Sequence, residues 1–460
     1  MPPAMRPVSR RWNVERTIKK ELLAWKNRPD RRPLLITGVR QCGKTYVMKE
    51  FAQEQFEKIA YLNLEKEERA AELFAYDFDP KRILRELGAV FFGFEITPGS
   101  TVLILDEIQS CPRAIASLKY FCEDLPELHV MCAGSLLGVE LKHQNISFPV
   151  GKIDRLQMFP MSFAEFLAAD DGMKYLTLAQ SRPADEPIPE LCRVPLEKAY
   201  RQYLIVGGMP AAVKTWIQTH SFQEVERVQD GILSDYADDF SKHAPPAEVP
   251  KIHWVWDSVP KQLARDNNKF VFSHVREGKR ASELENALTW LKDAGLVYLT
   301  ELVENPELPL SFCSDASYFK VYMADVGLLR RKAGVYFDTI LDENENYIGF
   351  KGALAENYVQ NELKNLGYQP YFWRSGNQAE VDFLIERKGM LIPIEVKSAA
   401  NTRAKSYRLF CKRYSIRLGF KLSLKNRAVN EEDGTRTVSL PLYLISDLES
   451  SCQDQDCQTF

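Results

Sequence analysis

Gly38-Val-Arg-Gln-Cys-Gly43-Lys44-Thr45 fits G-x-x-x-x-G-K-[ST] without a gap. Glycines at these spacings let successive backbone N–H groups wrap a polyphosphate at the positive end of a following helix. The contacts this motif predicts are Gly38, Arg40, Gln41, Cys42, Gly43, Lys44, Thr45 and Tyr46. Lys44 would reach the β- and γ-phosphates of ATP, acting catalytically there, and the Thr45 hydroxyl would ligate Mg²⁺. About 60 residues on, Thr101-Val-Leu-Ile-Leu-Asp106-Glu107 is an apolar run that stops in two carboxylates. Asp106 is placed to hold the Mg²⁺ through its water shell, and Glu107 to polarise an attacking water. The next apolar run, His129–Ala133, leads to Gly134-Ser135. Ser135 is either a sensor of the γ-phosphate or a helix N-cap.

A second constellation lies near the other end of the chain. Glu356 falls in a helical stretch, GALAENYVQNEL, Asp382 in the strand EVDFLI, and Glu395-Val-Lys397 in the strand LIPIEVKS. A two-stranded hairpin with its turn at Lys388-Gly389 would bring Asp382 level with Glu395. Residues two apart share a strand face, so Glu395 and Lys397 point the same way. Carboxylates with a nearby lysine suit metal-dependent phosphodiester cleavage: Glu356, Asp382 and Glu395 would hold Mg²⁺ or Mn²⁺, and Lys397 would act on the attacking water. The same two charges could equally form the solvated face of a half-exposed strand. From Val396 to Asn430 there is no acidic residue, and ten lysines and arginines give +10, with Tyr407, Phe410, Tyr414 and Phe420 interleaved. Such a segment is either a surface that draws in a nucleic-acid backbone or an amphipathic helix with a basic outer face. From Lys251 to Arg280 the net charge is a milder +4.

The elements that would position these groups follow from periodicity. The first 30 residues read as a helix, Val14–Lys26, and a turn at Arg28-Pro29-Asp30. Residues 31–170 alternate short apolar strands (Leu34–Thr37, Ile59–Leu64, Thr101–Leu105, His129–Ala133, Asp154–Met158) with helical stretches. That pattern predicts a parallel sheet covered on both faces. Four prolines from 183 to 195 read as a connector into a helical segment, Leu196 to about His243, within the region 171–245. In 246–345, SELENALTWLKDAGLVYLTELVE reads as helix, Gly295 turn and strand, which suits a winged-helix module or a generic helical bundle. Residues 346–460 alternate helix and strand and end in a loose polar tail holding Cys452 and Cys457.

The whole predicts an α/β multidomain chain. Of its 460 residues, 45% are hydrophobic and 27% charged, which excludes wholesale disorder. No apolar run reaches membrane-spanning length and no secretory leader is visible. Nine cysteines without CxxC pairs and six scattered histidines argue against a disulfide framework or a zinc site. The expectation is a cytoplasmic protein without a membrane partner.

These features resemble the AAA-type ATPases. More narrowly, GVRQCGKT, LILDEIQ, AGSLLG, FPVGKIDRLQMFPMSFAEF, YLIVGGMP, KVYMADVGLLR, GALAENYV, AEVDFLI and IPIEVKS together resemble a bacterial and archaeal family of single-chain AAA ATPases with a C-terminal domain of undefined function. The resemblance spans residues 15 to 415. It implies an ATP-binding core, a helical lid opened by Gly207-Gly208-Met209-Pro210, and an ATP-promoted homo-oligomer whose neighbour supplies an arginine to the γ-phosphate. Lys152 stands where that family often has arginine, which leaves Arg155 as the nearest substitute. The terminal segment is similar to the restriction-endonuclease-like (PD-(D/E)xK) nucleases, whose pattern of acid, Asp and Glu-x-Lys is filled by Glu356, Asp382, Glu395 and Lys397. The implied function is a Mg²⁺-dependent ATPase coupled to DNA binding and DNA cleavage. The alternative is a nucleotide-dependent switch or scaffold whose endonuclease-like domain binds DNA or protein without cutting.

Overall fold

The computed structural model describes residues 14–134, 148–183, 185–265, 269–341, 348–376, 379–398 and 405–456. The chain forms two compact units: Glu15–Pro160 with Thr289–Leu296, and Met161–Leu288 with Val297–Phe460.

The first unit is built on five strands, β1 (Leu34–Thr37), β2 (Lys58–Asn63), β3 (Thr101–Asp106), β4 (His129–Ala133) and β5 (Asp154–Gln157). All are parallel, in the order β2-β3-β4-β1-β5. Every residue of β3 and β4 is buried, because helices cover both faces of a parallel sheet, and all but Thr101, Asp106 and His129 are apolar. The edge strand β5 alternates half-buried and exposed residues. Helix α1 (Ile18–Asn27) buries Ile18, Leu22 and Trp25, spaced along one face. Helix α2 (Lys44–Gln55) leaves the phosphate-type loop directly. The five expected strands are all present, with boundaries within a residue or two.

The second unit carries an eight-stranded mixed sheet. Its strands are β6 (Val297–Val303), β7 (Ser314–Met323), β8 (Tyr371–Ser375), β9 (Ala379–Arg387), β10 (Met390–Val396), β11 (Leu418–Ser423), β12 (Ala428–Glu432) and β13 (Thr435–Pro441). They lie in the order β12-β13-β11-β10-β9-β8-β6-β7. The helix, Gly295 turn and strand read from 282–304 are there, with Gly295 at φ +73°. The hairpin of β6 and β7, however, does not end in a separate winged module. Leu302 and Val303 pair in parallel with Phe372 and Trp373 of β8, so the expected boundary at 345/346 falls inside one sheet. A strand with an unpaired edge takes whichever partner burial favours, and here that partner is far along the chain.

Between 171 and 245 the expected helices form as Met173–Gln180, α3 (Glu190–Val206), Pro210–Thr219 and α4 (Phe222–His243). Gly207 ends α3 at φ +72°, and Pro210 opens the next helix. The glycines here are packing requirements. A Cβ on Gly208 would lie 2.0 Å from the Met161 carbonyl oxygen, and Met161 N–H donates to Gly208 O at 2.7 Å. The buried Asp325 carboxylate accepts from Gly208 N at 2.6 Å and from Leu328 N at 2.8 Å, capping helix α5 (Val326–Lys332). Three of the quoted motifs, FPMS, GGMP and ADVG, thus meet at one joint of this unit. The polar tail is also not loose through residue 456: Leu448–Asp456 is helical and Cys452 is buried, while Cys457 lies outside the described residues. Among the described residues no helix is long and apolar enough to cross a membrane, and none of the eight described cysteines is in a disulfide.

Candidate functional site

In the first unit, strand β1 ends at Thr37 and the chain turns through Gly38–Gly43 into α2. Gly38 sits at φ +150° with an ideal Cβ position only 2.1 Å from Met158 O, and Gly43 sits at φ +97°. Only glycine fits the first position, and it brings the loop backbone against the end of β5. Gln41 is also left-handed, at φ +67°. The first-turn N–H groups of α2, including those of Lys44, Thr45 and Tyr46, have no partner within their own helix. They point to where an anion would lie. Lys44, 7% exposed, donates to the carbonyls of Gly38 at 2.8 Å and Val39 at 3.0 Å, so its ammonium is over the loop.

Strand β3 is not next to β1, since β4 lies between them. The site closes across that gap. Thr45 Oγ1 donates to Asp106 Oδ2 at 2.8 Å, and Tyr61 OH of β2 donates to the same oxygen at 2.8 Å. Asp106 Oδ1 accepts from Glu107 N at 3.1 Å. Burial and the hydrogen bond to Asp106 push the Tyr61 phenol up to about 12, so it remains a donor. Glu107 adopts φ +50° and its Oε2 accepts from Gln109 Nε2 at 2.7 Å, which holds the carboxylate in place. A hydroxyl and a carboxylate oxygen in contact are a hard-oxygen donor set that fits Mg²⁺. Ser135 lies outside the described residues. Two supporting residues, Tyr61 and Arg16, had no motif to announce them, while Gln109 closes the quoted LILDEIQ without a role assigned to it. The buried Arg16 guanidinium donates to Cys42 O at 3.0 Å and Phe159 O at 2.7 Å, tying the loop to the segment after β5. Lys152 is ion-paired with Glu123 at 2.9 Å, and the Arg155 guanidinium stacks over the Phe148 ring at 4.5 Å.

Residues 30–167 match an AAA domain. The first unit contains an AAA-type ATPase core. Beyond that core, residues 197–337 match one domain of unknown function (DUF8612) and residues 351–443 another (DUF4143). Among solved structures, the chain is similar to the Walker-type ATPase PABY2304 of Pyrococcus abyssi, at 16% identity and TM-score 0.45, over 71% of this chain and 98% of that one. It is also similar to the ORC2 protein of Aeropyrum pernix in ADPNP–ADP complexes, at 14% identity and TM-score 0.35, over 71% and 94% of the two chains. A third likeness is to the ORC1 protein of Aeropyrum pernix in complex with DNA, at 13% identity and TM-score 0.29, over 72% and 95%. No curated protein matches.

Outside the ATPase core, the second unit gathers the carboxylates expected from its strands. The β9–β10 hairpin turns at Lys388 and Gly389, both at positive φ, and its register pairs Phe383 with Ile394. Asp382 and Glu395 are therefore the next positions along, and Asp382 Oδ2 accepts from Val396 N at 2.7 Å. Lys397 Nζ lies 2.7 Å from Glu395 Oε1, while Glu395 Oε2 is buried without a hydrogen-bond partner. Glu356, on helix α6 (Ile348–Asn365), uses Oε2 to accept from Tyr322 OH at 3.0 Å and to meet Lys320 at 3.4 Å. Lys320 itself, 1% exposed on β7, makes a closer pair with Glu380 at 2.6 Å. Lys320 and Tyr322 lie in the quoted segment KVYMADVGLLR and Glu380 in AEVDFLI, but nothing in their spacing joins them to this centre.

Burial raises the Asp382 carboxyl well above its ordinary range, and Glu395 and Glu356 add to the shift. Burial also raises Glu395, against the opposing pull of Lys397. Burial would lower the Lys320 ammonium, but Glu356, Tyr322 and Glu380 outweigh it and lift it well above the usual lysine range. Among the described residues, no three acidic, histidine or cysteine side chains converge as a finished metal-ligand set. The donor chemistry nevertheless fits one hard cation. Four carboxylates face two ammoniums, and the orphaned Glu395 oxygen lies buried beside Asp382.

The basic segment folds as helix α7 (Lys405–Arg413), which exposes Arg408, Lys412 and Arg413. Tyr407, Phe410 and Cys411 face inward onto Trp373, and Phe420 is fully buried in β11. These aromatics are core, so the cationic face carries no stacking platform from Tyr407, Phe410 or Phe420.

Proposed function

We propose that the chain is a Mg²⁺-dependent ATPase whose second unit binds DNA. The observation that carries the ATPase reading is the 2.8 Å contact of Thr45 Oγ1 with Asp106 Oδ2 at the mouth of the glycine loop. It brings the two expected Mg²⁺ ligands together from residues 61 positions apart. Gly38, Arg40, Gln41, Cys42, Gly43, Lys44, Thr45 and Tyr46 would cradle the phosphates through the loop and helix N-terminus. Lys44 would neutralise charge developing on the transferred phosphoryl group, and Glu107 would orient the water that attacks it. Mg²⁺ supplies charge neutralisation at the phosphates when bound. An ATP-promoted homo-oligomer belongs to this reading, with a neighbour completing the site.

DNA binding is supported by the exposed cations of α7 beside an acidic centre. Cleavage is the finer reading: Asp382 and Glu395 would hold the divalent cation, and Lys397 would act on the water. The Lys397–Glu395 pair at 2.7 Å favours a second reading, a nucleotide-dependent switch or scaffold that engages DNA without cutting it. One set of assays separates these. The purified chain is incubated with duplex, branched and single-stranded DNA, with Mg²⁺ or Mn²⁺, with and without ATP. ATP hydrolysis with salt-sensitive DNA binding is expected. An absence of hydrolysis removes the ATPase reading. An absence of cleavage on every substrate leaves the switch.

A further inference from the structure

The carboxylate centre is assembled from two of the matched segments. Glu356, Glu380, Asp382, Glu395 and Lys397 fall within 351–443, but Lys320 lies on β7 within 197–337. Strand β7 is the edge of the eight-stranded sheet, three strands from β9 in sheet order, yet its lysine reaches Glu380 at 2.6 Å and Glu356 at 3.4 Å. Tyr322, two residues on along the same face of β7, holds the same Glu356 oxygen at 3.0 Å. The Phe372 ring lies 5.1 Å from the ammonium and closes off another side.

The charges divide into two halves. On one side Glu356 and Glu380 share a fully buried ammonium. On the other Asp382 and Glu395 have Lys397, which is about one-third exposed, and Glu395 Oε2 has no hydrogen-bond partner. Paired-metal centres need carboxylates free to bridge ions roughly 3.5–4 Å apart. Mg²⁺ and Mn²⁺ accept oxygen donors, and an ammonium offers none while repelling a second cation. With all four carboxylates ionised, as cation binding requires, they exceed the two ammoniums by two charges, the charge of one divalent ion.

We propose that Lys320 is the resident cation of the Glu356–Glu380 half, so that the centre admits one divalent cation, at Asp382 and Glu395, and not a pair. Lys320 is then a positioning residue: it holds two carboxylates in place of a metal. This rests on the reading of the centre as cation-binding.

The test counts bound Mn²⁺ on the full chain without nucleotide, by titration calorimetry and by electron paramagnetic resonance of free Mn²⁺. Sites are counted in an Asp106→Asn background, which subtracts weak binding at the nucleotide site. The parent should show one such site, and Lys320→Met should show two. Lys320→Arg keeps the cation and should remain at one. Two sites in the parent, or one in a folded Lys320→Met, overturn the role of Lys320 and leave the cation-binding reading standing. No site in the parent overturns both. The parent count decides even where Lys320→Met does not fold.

Discussion

Lys397 Nζ and Glu395 Oε1 lie 2.7 Å apart at the end of β10, with the Asp382 carboxylate held beside them by the Val396 amide. The pair is close enough to neutralise Glu395 and close enough to release it to a cation. Removal of Asp382 therefore separates binding from chemistry. Asp382→Asn should eliminate any cleavage while DNA affinity stays equal or rises, because negative charge near the phosphates is removed. Binding and cleavage assays on one preparation check this.

At the nucleotide site, Glu107→Gln should retain ATP binding and slow hydrolysis by about 10²–10⁴-fold, the usual worth of a positioned proton acceptor. Lys44→Ala removes the cation over the loop and should weaken nucleotide binding by about 10²-fold or more. Fluorescent-nucleotide titration and phosphate release measure the two. Equal hydrolysis by Glu107→Gln and the parent would take Glu107 out of its role.

Gly38→Ala should destabilise the first unit by on the order of 2–5 kcal/mol, from overpacking and backbone strain together. The added methyl would meet Met158 O at 2.1 Å, a backbone atom that cannot rotate away. A thermal melt of the variant should show a lowered transition along with impaired ATP binding. An unchanged melt would mean that the loop and β5 separate freely.

A pH effect resides at Glu362. Its side chain accepts from Phe163 N at 2.9 Å and is buried, and burial, with Glu165 adding to it, raises its carboxyl to about 8. The folded state then holds this proton where the unfolded chain, near 4.5, has released it. Stability from this group is full below about pH 4.5 and is lost as pH rises through about 8. Glu362→Gln keeps an acceptor for Phe163 N and carries no charge. Its melting temperature should gain on the parent's steadily between about pH 5 and 8, and a pH-independent gap would refute the assignment.

The exposed face of α7 makes a separable prediction. Neutralising Arg408, Lys412 and Arg413 together should weaken DNA binding and flatten its salt dependence, by roughly 0.9 in logarithmic slope for each phosphate no longer neutralised. ATP hydrolysis without DNA should be unaffected. A slope equal to the parent's would show that the backbone is bound elsewhere.

Sequence alone determined the nucleotide loop, the five parallel strands and the alignment of Asp382 with Glu395. Each is a local matter: glycines at set spacing, apolar runs of strand length, and a hairpin whose register follows from its turn. Sequence also showed that Glu395 and Lys397 share a face, because the period of a strand is two. Only the tertiary structure decided how the charges pair. Lys320 reads in the chain as one more lysine in an alternating strand, and its burial with Glu356 and Glu380 depends on β6 joining β8 rather than ending a winged module. The inward turn of Tyr407 and Phe410 likewise depends on Trp373, which arrives from a different strand of the sheet. Asp106 and Tyr61 meet through cross-strand neighbours on β2 and β3. Strand order and the packing of faces follow from the sum of many weak long-range interactions, and no short window of sequence contains that sum.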